Sequence, residues 1–143
     1  MLRMIVVVAL IFGVSANAPA LTLAEAKARN AIRLSGVELK QLMPGAKVVE
    51  RTTAGSTRTW RNKTDGTFVA SSDSKGSSVG RALPASGNGT WRVGDKGNYC
   101  VTIHWSGMVS EDWCRYIFKV DGKYFGFGRL EGTAQGSEFE FSK

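Results

Sequence analysis

The dipeptide Asp121-Gly122 constrains the fold of this chain more than any other feature. It separates two aromatic-rich runs, WCRYIFKV before it and KYFGF after it. A two-residue Asp-Gly loop favours a type I′ β-hairpin, because both positions accept positive φ. That turn fixes the register of the two strands: Val120 opposite Lys123, Phe118 opposite Phe125 and Tyr116 opposite Phe127. The sequence therefore predicts an antiparallel hairpin with one aromatic ladder.

Two earlier segments extend this hairpin into four strands in series, GTWRV at 89–93 and YCVTIHW at 99–105. Successive strand side chains face opposite sides, so the odd positions from Tyr99 to Trp105 are predicted to face the core, together with the aromatic ladder. Keeping these positions on one side predicts the following neighbours: Val93 with Tyr99, Trp91 with Val101, Ile103 with Cys114, Val101 with Tyr116, and His104 beside Trp113 on the other face. The predicted loop before the third strand runs from Ser106 to Glu111.

The outer face of this meander carries the residues that we predict to bind a ligand. Parity places a mixed aromatic and basic set there: Thr102, His104, Trp113, Arg115, Ile117, Lys119 and Tyr124. Exposed aromatic rings beside cations are suited to stacking on sugars, anionic headgroups or a protein partner. Five of these residues make up the predicted binding site: His104, Trp113, Arg115, Lys119 and Tyr124. The alternative is that the N-terminal helix covers this face.

The N-terminus has the parts of a secretory signal peptide. Arg3 supplies the positive charge, an apolar run follows from Ile5 to Val14, and small residues lead to Ala20. The apolar run is too short to cross a bilayer, which takes ~20 residues of helix. We therefore predict that residues 1–20 are cleaved and that residues 21–143 form a single domain. The product is predicted to be periplasmic or secreted, with no transmembrane segment.

Cys100 and Cys114 are the two cysteines of the chain. In an exported protein, two cysteines are most simply joined as one disulfide, which we predict. The register above conflicts with that bond, because it places Cys114 on the core face and Cys100 on the outer face. A direct bond therefore requires a bulge or a different register. Two free thiols are the alternative.

The segment before the strands contains two capping-box spacings, at 22–25 and 35–38. We expect a helical segment over 22–43 that ends at Pro44-Gly45 and lies over one end of the sheet through Leu39, Leu42 and Met43. Strand-like stretches follow at 46–52, 56–61, 68–70 and 137–141, with Trp60 facing Phe68. The whole pattern predicts a mainly β fold, namely a small antiparallel up-and-down barrel or a strongly curved sheet of about eight strands, preceded by one or two short helices.

The chain is basic, with 19 Lys and Arg against 12 Asp and Glu and a net charge of +7. The basic residues are spread along the chain and no nucleic-acid-binding motif accompanies them, so we predict no specific nucleic-acid partner. His104 is the single histidine, which argues against a His-rich metal site. We expect neither a metal nor a cofactor.

Several segments in this order resemble a known family: LSGVELKQLMPG at 34–45, DGT at 65–67, GTWRV at 89–93, YC at 99–100 and WCRYIFKVDGKYF at 113–125. Together they are similar to the small exported proteobacterial proteins called domain of unknown function 995. The resemblance implies secretion and a compact β fold and supplies no activity. A weaker likeness to lipocalin-type barrels rests on the GTW of 89–91 alone. Because that motif lies on the first strand in lipocalins and late in this chain, it carries no ligand across.

Two functions from different classes fit these features. The preferred one is an exported, non-catalytic binding or interaction module of the bacterial cell envelope, which uses the barrel mouth or the aromatic and basic face. Its partner would be an anionic envelope component, a small ligand or a protein. The alternative is a small envelope hydrolase in which His104 acts as general base with a nearby carboxylate, Glu111 or Asp112. No nucleophile-elbow or oxyanion motif accompanies His104, so the prediction leans away from an enzyme.

Overall fold

A computed structural model describes residues 20–75, 84–107 and 109–143. Within these ranges the chain forms two short helices and nine strands. In chain order the elements are α1 (Leu23–Ala28), β1 (Ile32–Arg33), α2 (Gly36–Leu42), β2 (Lys47–Arg51), β3 (Thr57–Arg61), β4 (Thr67–Ser72), β5 (Ala85–Val93), β6 (Tyr99–Trp105), β7 (Glu111–Val120), β8 (Lys123–Phe127) and β9 (Ser137–Ser142). The predicted signal peptide lies outside the described residues, except for Ala20.

Strands β2 to β9 form a closed antiparallel barrel. Each strand pairs with the next one along the chain, and β9 pairs back onto β2, so no strand of the eight is left at an edge. The extra strand β1 pairs with the end of β7 that extends beyond β6. The predicted fold, a mainly β up-and-down barrel of about eight strands preceded by short helices, is confirmed.

The β7–β8 hairpin has the predicted register and turn. Val120 pairs with Lys123, and the aromatic pairs follow as expected. Asp121 and Gly122 have φ values of 49° and 78°, as a type I′ turn requires. The register of β5 against β6 is also as predicted, with Trp91 opposite Val101.

The predicted register between β6 and β7 is wrong by three residues. Val101 pairs with Trp113 instead of Tyr116, and Cys100 pairs directly with Cys114. The two sulfur atoms are 2.05 Å apart in a disulfide, which is the different register that the predicted bond required. β7 already begins at Glu111, so the loop is shorter than predicted.

A register shift by an odd number of residues moves each side chain of a strand to the opposite face of the sheet. The predicted outer surface is therefore wrong for the residues of β7. Trp113 and Ile117 face the barrel interior, where Ile117 is fully buried. Phe118, Val120 and Phe127 lie on the outside of the barrel and form a second apolar cluster with α1. The aromatic ladder is therefore buried, but beneath a helix and not in the barrel core. Helix α1 covers the outside of the meander, as the alternative expected. The residues beneath it are Phe118, Val120 and Phe127, whereas Trp113 and Ile117 of the predicted set lie inside the barrel.

The two helices have different positions, and each begins with the predicted capping box. α1 packs its Leu23 and Ala26 on the outside of the barrel. α2 closes one end of the barrel, because Leu39 and the adjoining Met43 are fully buried in the interior cluster. The partly buried Leu42 packs against that cluster as well. The prediction that this helix lies over one end of the sheet is confirmed.

The barrel interior is filled by aromatic side chains. Trp60 stacks on Phe68, as predicted, with ring centroids 5.2 Å apart. Phe68 occupies the space where a side chain at position 89 would lie, because a Cβ built on Gly89 would be 2.2 Å from the Phe68 ring. The glycine of the GTW segment is thus required by core packing.

Candidate functional site

The five residues of the predicted binding site do not share one surface. His104 is exposed on the outside of the barrel, and its Nδ1 lies 2.8 Å from the Ser110 hydroxyl. Trp113 packs against the interior cluster, and the guanidinium of Arg115 lies over its ring. Lys119 is exposed, and its ammonium lies 5.7 Å from the centroid of the Tyr124 ring. Tyr124 packs against the interior cluster from its edge.

Four charged side chains in the described part of the barrel interior form the candidate site. We call them the charged layer: Glu50 on β2, Arg58 on β3, and Glu111 and Arg115 on β7. Glu50 and Arg58 share their strand faces with the core residues Val48 and Trp60, because side chains two positions apart point to the same side. Glu111 and Arg115 likewise share a face with Trp113. All four side chains therefore point into the barrel.

Arg58 connects the two carboxylates of the charged layer. Its Nη2 lies 2.6 Å from Glu111 Oε1, and its Nη1 lies 3.4 Å from Glu50 Oε2. The Trp105 indole N–H donates a hydrogen bond to the other oxygen of Glu111. The Arg58 guanidinium also lies 5.5 Å from the centroid of the Trp105 ring. These bonds hold Arg58 and Glu111 in fixed positions.

Exposure increases across this network. The Glu50 side chain is 3% exposed, Arg58 14% and Glu111 31%, so the network leads from the interior to solvent. Burial raises the pKa of Glu50 above its usual value, and the charges of Arg58 and Arg115 oppose that rise. The two cations stabilise the ionised form of Glu50. Its Oε2 accepts a hydrogen bond from Arg58 inside the barrel.

Arg115 differs from Arg58 because it has no carboxylate of its own. Its Nη1 donates a hydrogen bond to the Cys114 carbonyl at 3.1 Å, and its guanidinium carbon lies 4.9 Å from the centroid of the Trp113 ring. Among the described residues, no carboxylate oxygen is within 4.0 Å of its guanidinium nitrogens. Burial lowers the pKa of Arg115, and attraction by Glu50 opposes that shift.

The charged layer lies at the end of the barrel away from α2. Strand β2 starts at the α2 end, and Glu50 is its second-last residue. Strand β3 runs back towards α2, and Arg58 is its second residue. At the α2 end lies a neutral polar group, which we call the neutral layer: Trp60, Asn62 and Tyr99. Trp113 is in contact with both layers, with its ring centroid 6.5 Å from that of Trp60. The interior thus has one charged and one neutral end.

The surroundings of His104 provide little for catalysis. Glu111, one of its two predicted partners, points into the barrel and bonds to Arg58. Asp112, the other, accepts a hydrogen bond from the Thr102 hydroxyl at 3.2 Å. No carboxylate in the described part of the chain is hydrogen-bonded to the His104 ring. In the same ranges, no three His, Cys, Asp or Glu side chains form a group able to hold a metal ion.

Comparison with known proteins identifies the family. The family model described as "Protein of unknown function (DUF995)" matches residues 9–122, which is most of the chain. The chain belongs to this family. Curated proteins give no significant match, and neither do solved structures. No helix in the described ranges is long and apolar enough to span a membrane.

Sequence reasoning missed two of the four charged-layer residues, Glu50 and Arg58, and both had a detectable signal. In the run KVVER, Glu50 has the parity of the apolar Val48, and Arg58 has the parity of Trp60. A charged residue at a core-facing position of each of two consecutive strands indicates an internal ion pair. Glu111 was predicted only as a possible partner of His104, because the incorrect register placed it in a loop.

Proposed function

We propose that the protein is an exported, non-catalytic binding module of the bacterial cell envelope and that it binds its ligand at the charged layer of the barrel. The observation that carries the proposal is the difference between the two barrel ends. One end is closed by α2 and filled with buried, uncharged side chains. The other has partly exposed charged and aromatic groups fixed by hydrogen bonds, as binding sites usually have.

Three features support export. The first 20 residues have the composition of a signal peptide. The two cysteines form a disulfide, a bond that persists in oxidising compartments. Leu21, the residue after the predicted cleavage position, is only 4% exposed, and its carbonyl accepts a hydrogen bond from Gly136. Cleavage before Leu21 would leave these contacts intact. Protein recovered from the periplasm should therefore begin at Leu21, and recovered protein that still carries Met1 would contradict the proposal.

The four tryptophans allow a direct test of where the ligand binds. Trp105 and Trp113 contact the charged layer, whereas Trp60 belongs to the neutral layer and Trp91 bonds to the Lys63 carbonyl. Their indole N–H signals can be assigned by NMR with single Trp→Phe variants. We expect detergent-solubilised envelope fractions to shift the signals of Trp105 and Trp113 and to leave those of Trp60 and Trp91 in place.

Two outcomes would contradict the proposed function. One is that the mature protein neither co-sediments with isolated envelope membranes nor changes its NMR spectrum with the solubilised fraction. The other is that the fraction shifts only the signals of Trp60 and Trp91, which would place binding elsewhere. A fraction digested with protease serves as a control that separates a protein partner from lipid or saccharide.

The hydrolase alternative depends on His104, so one substitution distinguishes it from the non-catalytic binding proposal. His104 is exposed and away from the charged layer, so we expect His104→Ala to leave envelope binding and the melting temperature unchanged. Asn88→Ala, at the exposed position that pairs with His104 on the same face, is the matched control. If the wild-type protein degrades an envelope polymer and His104→Ala abolishes that turnover without changing the melting temperature, the protein is an enzyme and the non-catalytic proposal fails.

A further inference from the structure

We infer that Arg115 binds an anionic group of the ligand, a carboxylate or a phosphate, inside the charged end of the barrel. This inference rests on the proposed function, because it specifies the chemistry of the ligand that the charged layer binds. It assigns the contact to one guanidinium, and it distinguishes Arg115 from Arg58, whose guanidinium is already bonded to two carboxylates.

Arg115 lacks a carboxylate partner within the protein itself. Every Asp and Glu of the chain lies in the described ranges, since residues 1–19, 76–83 and 108 include neither type. Throughout those ranges, no carboxylate forms an ion pair with Arg115. Glu50 attracts Arg115 electrostatically, but its ion pair is with Arg58. No residue that the structure leaves undescribed can therefore supply the missing carboxylate side chain.

The guanidinium of Arg115 also has hydrogen-bond donors that no described residue uses. An arginine side chain has five N–H donors in a fixed planar arrangement. One donates to the Cys114 carbonyl, and in the described part of the molecule no other acceptor receives a hydrogen bond from this side chain. The indole N–H of Trp113 likewise has no acceptor among the described residues. Carboxylates and phosphates fit such a set, because they accept two parallel bonds from one guanidinium.

The guanidinium of Arg115 is held in place, and no side chain at residue 128 covers it. Its position over the Trp113 ring limits its motion, which lowers the entropy lost when an anion binds. The exposed Gly128 lies beside the guanidinium, where a Cβ would be 3.5 Å from Arg115 Nη1. Because residue 128 has no side chain, the space at that position is left free of side-chain atoms of its own.

Without a ligand, Arg115 is in an unfavourable environment. A partly buried cation with no ion pair gives up hydration without gaining a close counter-ion. Burial accordingly lowers its pKa. Proteins usually keep such a locally unfavourable group where function requires it. An anion from solution would supply the charge-assisted hydrogen bonds that the chain itself does not provide.

The test uses simple anions as probes. The mature protein is titrated with inorganic phosphate and with acetate, and the Trp113 indole signal is followed by NMR. Each added anion replaces chloride, so that the ionic strength stays constant. Arg115→Met keeps an unbranched apolar stem over Trp113 but removes the charge. Arg92→Met is the matched control, because Arg92 is exposed on the outside of β5, opposite Cys100. We expect phosphate affinity to fall at least about tenfold with Arg115→Met and to be unchanged with Arg92→Met.

A second variant keeps the test decisive if Arg115→Met does not fold. Arg115→Lys keeps the charge but loses the planar pair of donors, so we expect weaker phosphate binding than in the wild type together with a native spectrum. Equal phosphate affinity in the wild type and in a folded Arg115 variant would overturn the inference. A wild-type protein that binds neither phosphate nor acetate would also overturn it.

Vesicles separate the two sources of such an anion. Phosphatidylcholine vesicles with and without phosphatidylglycerol are sedimented with the wild type, Arg115→Met and Arg92→Met. Sedimentation that requires phosphatidylglycerol and Arg115 assigns a lipid headgroup, whereas binding of free phosphate or acetate without sedimentation assigns a small anion. If envelope fractions still shift the Trp105 and Trp113 signals of Arg115→Met to the same extent, the proposed function stands and the anion contact is wrong. If the wild type binds the anions but no envelope fraction, the anion contact stands and the proposed function is wrong.

Discussion

The two polar groups inside the barrel differ in whether the chain completes them by itself. In the neutral layer, the Tyr99 hydroxyl donates to Asn62 Oδ1 at 2.7 Å, and the Trp60 indole N–H lies 3.1 Å from both of these oxygens. Asn62 Nδ2 in turn donates to the Met43 carbonyl. All three side chains are at most 2% exposed. Burial raises the pKa of Tyr99, so the layer stays uncharged.

The charged layer is not complete in the same sense. Arg58 is bonded to two carboxylates, while Arg115 has none among the described residues. Buried polar networks stabilise a fold when every member is satisfied and destabilise it when one is not. The neutral layer therefore belongs to the stability of the barrel, whereas the charged layer is the place where we propose that the ligand binds. Substitutions at the two ends should separate stability from binding.

The largest expected effect is in the neutral layer. Trp60→Ala removes a side chain that is 2% exposed and stacked on Phe68, and it also removes one hydrogen bond to Asn62. We expect the free energy of unfolding to fall by about 3–5 kcal/mol, as for other buried aromatics. Urea denaturation measures it. Val69→Ala, at a 59% exposed position, is the control, with a change within about 0.5 kcal/mol. A loss below about 1 kcal/mol for Trp60→Ala would contradict the structural role of this layer.

The next effect concerns the disulfide, which fixes the register that places Trp113 and Arg115 inside the barrel. Cys100 and Cys114 are separated by 14 positions, and a loop of that size is expected to contribute roughly 3 kcal/mol. The double variant Cys100→Ser/Cys114→Ser should lose about that much stability. Reductant should destabilise the wild type and leave the double variant unchanged. Alkylation of both thiols in exported wild-type protein without reduction would contradict the bond.

The same disulfide shows what the sequence could and could not predict. The β7–β8 register followed from Asp121-Gly122, because a two-residue turn leaves no freedom in the pairing. The five-residue loop between β6 and β7 does not fix a register, and both faces of β7 carry large side chains, so hydrophobic alternation gave no unique answer. The disulfide determines the register between β6 and β7, because it requires Cys100 and Cys114 to lie opposite each other. The predicted bond therefore required a register different from the one that parity predicted.

The candidate site was therefore only partly predictable. Trp113 and Arg115 were identified as a pair of ligand-binding type, but on the wrong side of the sheet. The other members of the charged layer, Glu50 and Arg58, come from distant strands, and they meet β7 only because the barrel closes. Closure depends on the pairing of β9 with β2, which no local pattern in the sequence specifies.

A smaller effect tests the hydrogen bonds of the neutral layer without changing its packing. Tyr99→Phe removes the hydroxyl that donates to Asn62 and leaves the ring in place. We expect a loss of about 1–2 kcal/mol in the free energy of unfolding. Tyr124→Phe is the control, since its hydroxyl makes no hydrogen bond to a described residue, and it should change stability by less than about 0.5 kcal/mol. Equal effects in both variants would mean that the network adds nothing beyond packing.

The smallest effect is a dependence on pH that only the charged layer should show. Burial raises the pKa of Glu50 above its ordinary value of 4.5, against the opposing charges of Arg58 and Arg115. Between the two pKa values the folded state binds more protons than the unfolded state, so this carboxyl contributes stability below pH 4.5 that is lost as the pH rises through the folded-state pKa. Glu50→Gln cannot titrate and loses nothing in that interval.

The stability of the wild type minus that of Glu50→Gln should therefore decrease as the pH is raised from about 4 towards neutrality. Urea denaturation of both proteins at several pH values measures this difference, and it cancels the titration of all other carboxylates to first order. The loss in Tyr99→Phe, measured over the same range, should not vary with pH, because the neutral layer contains no group that titrates there. A difference that increases with pH would show that the ion pair with Arg58 outweighs burial and lowers the pKa of Glu50. The charged layer would then stabilise the folded barrel, and the contrast between its two ends would disappear.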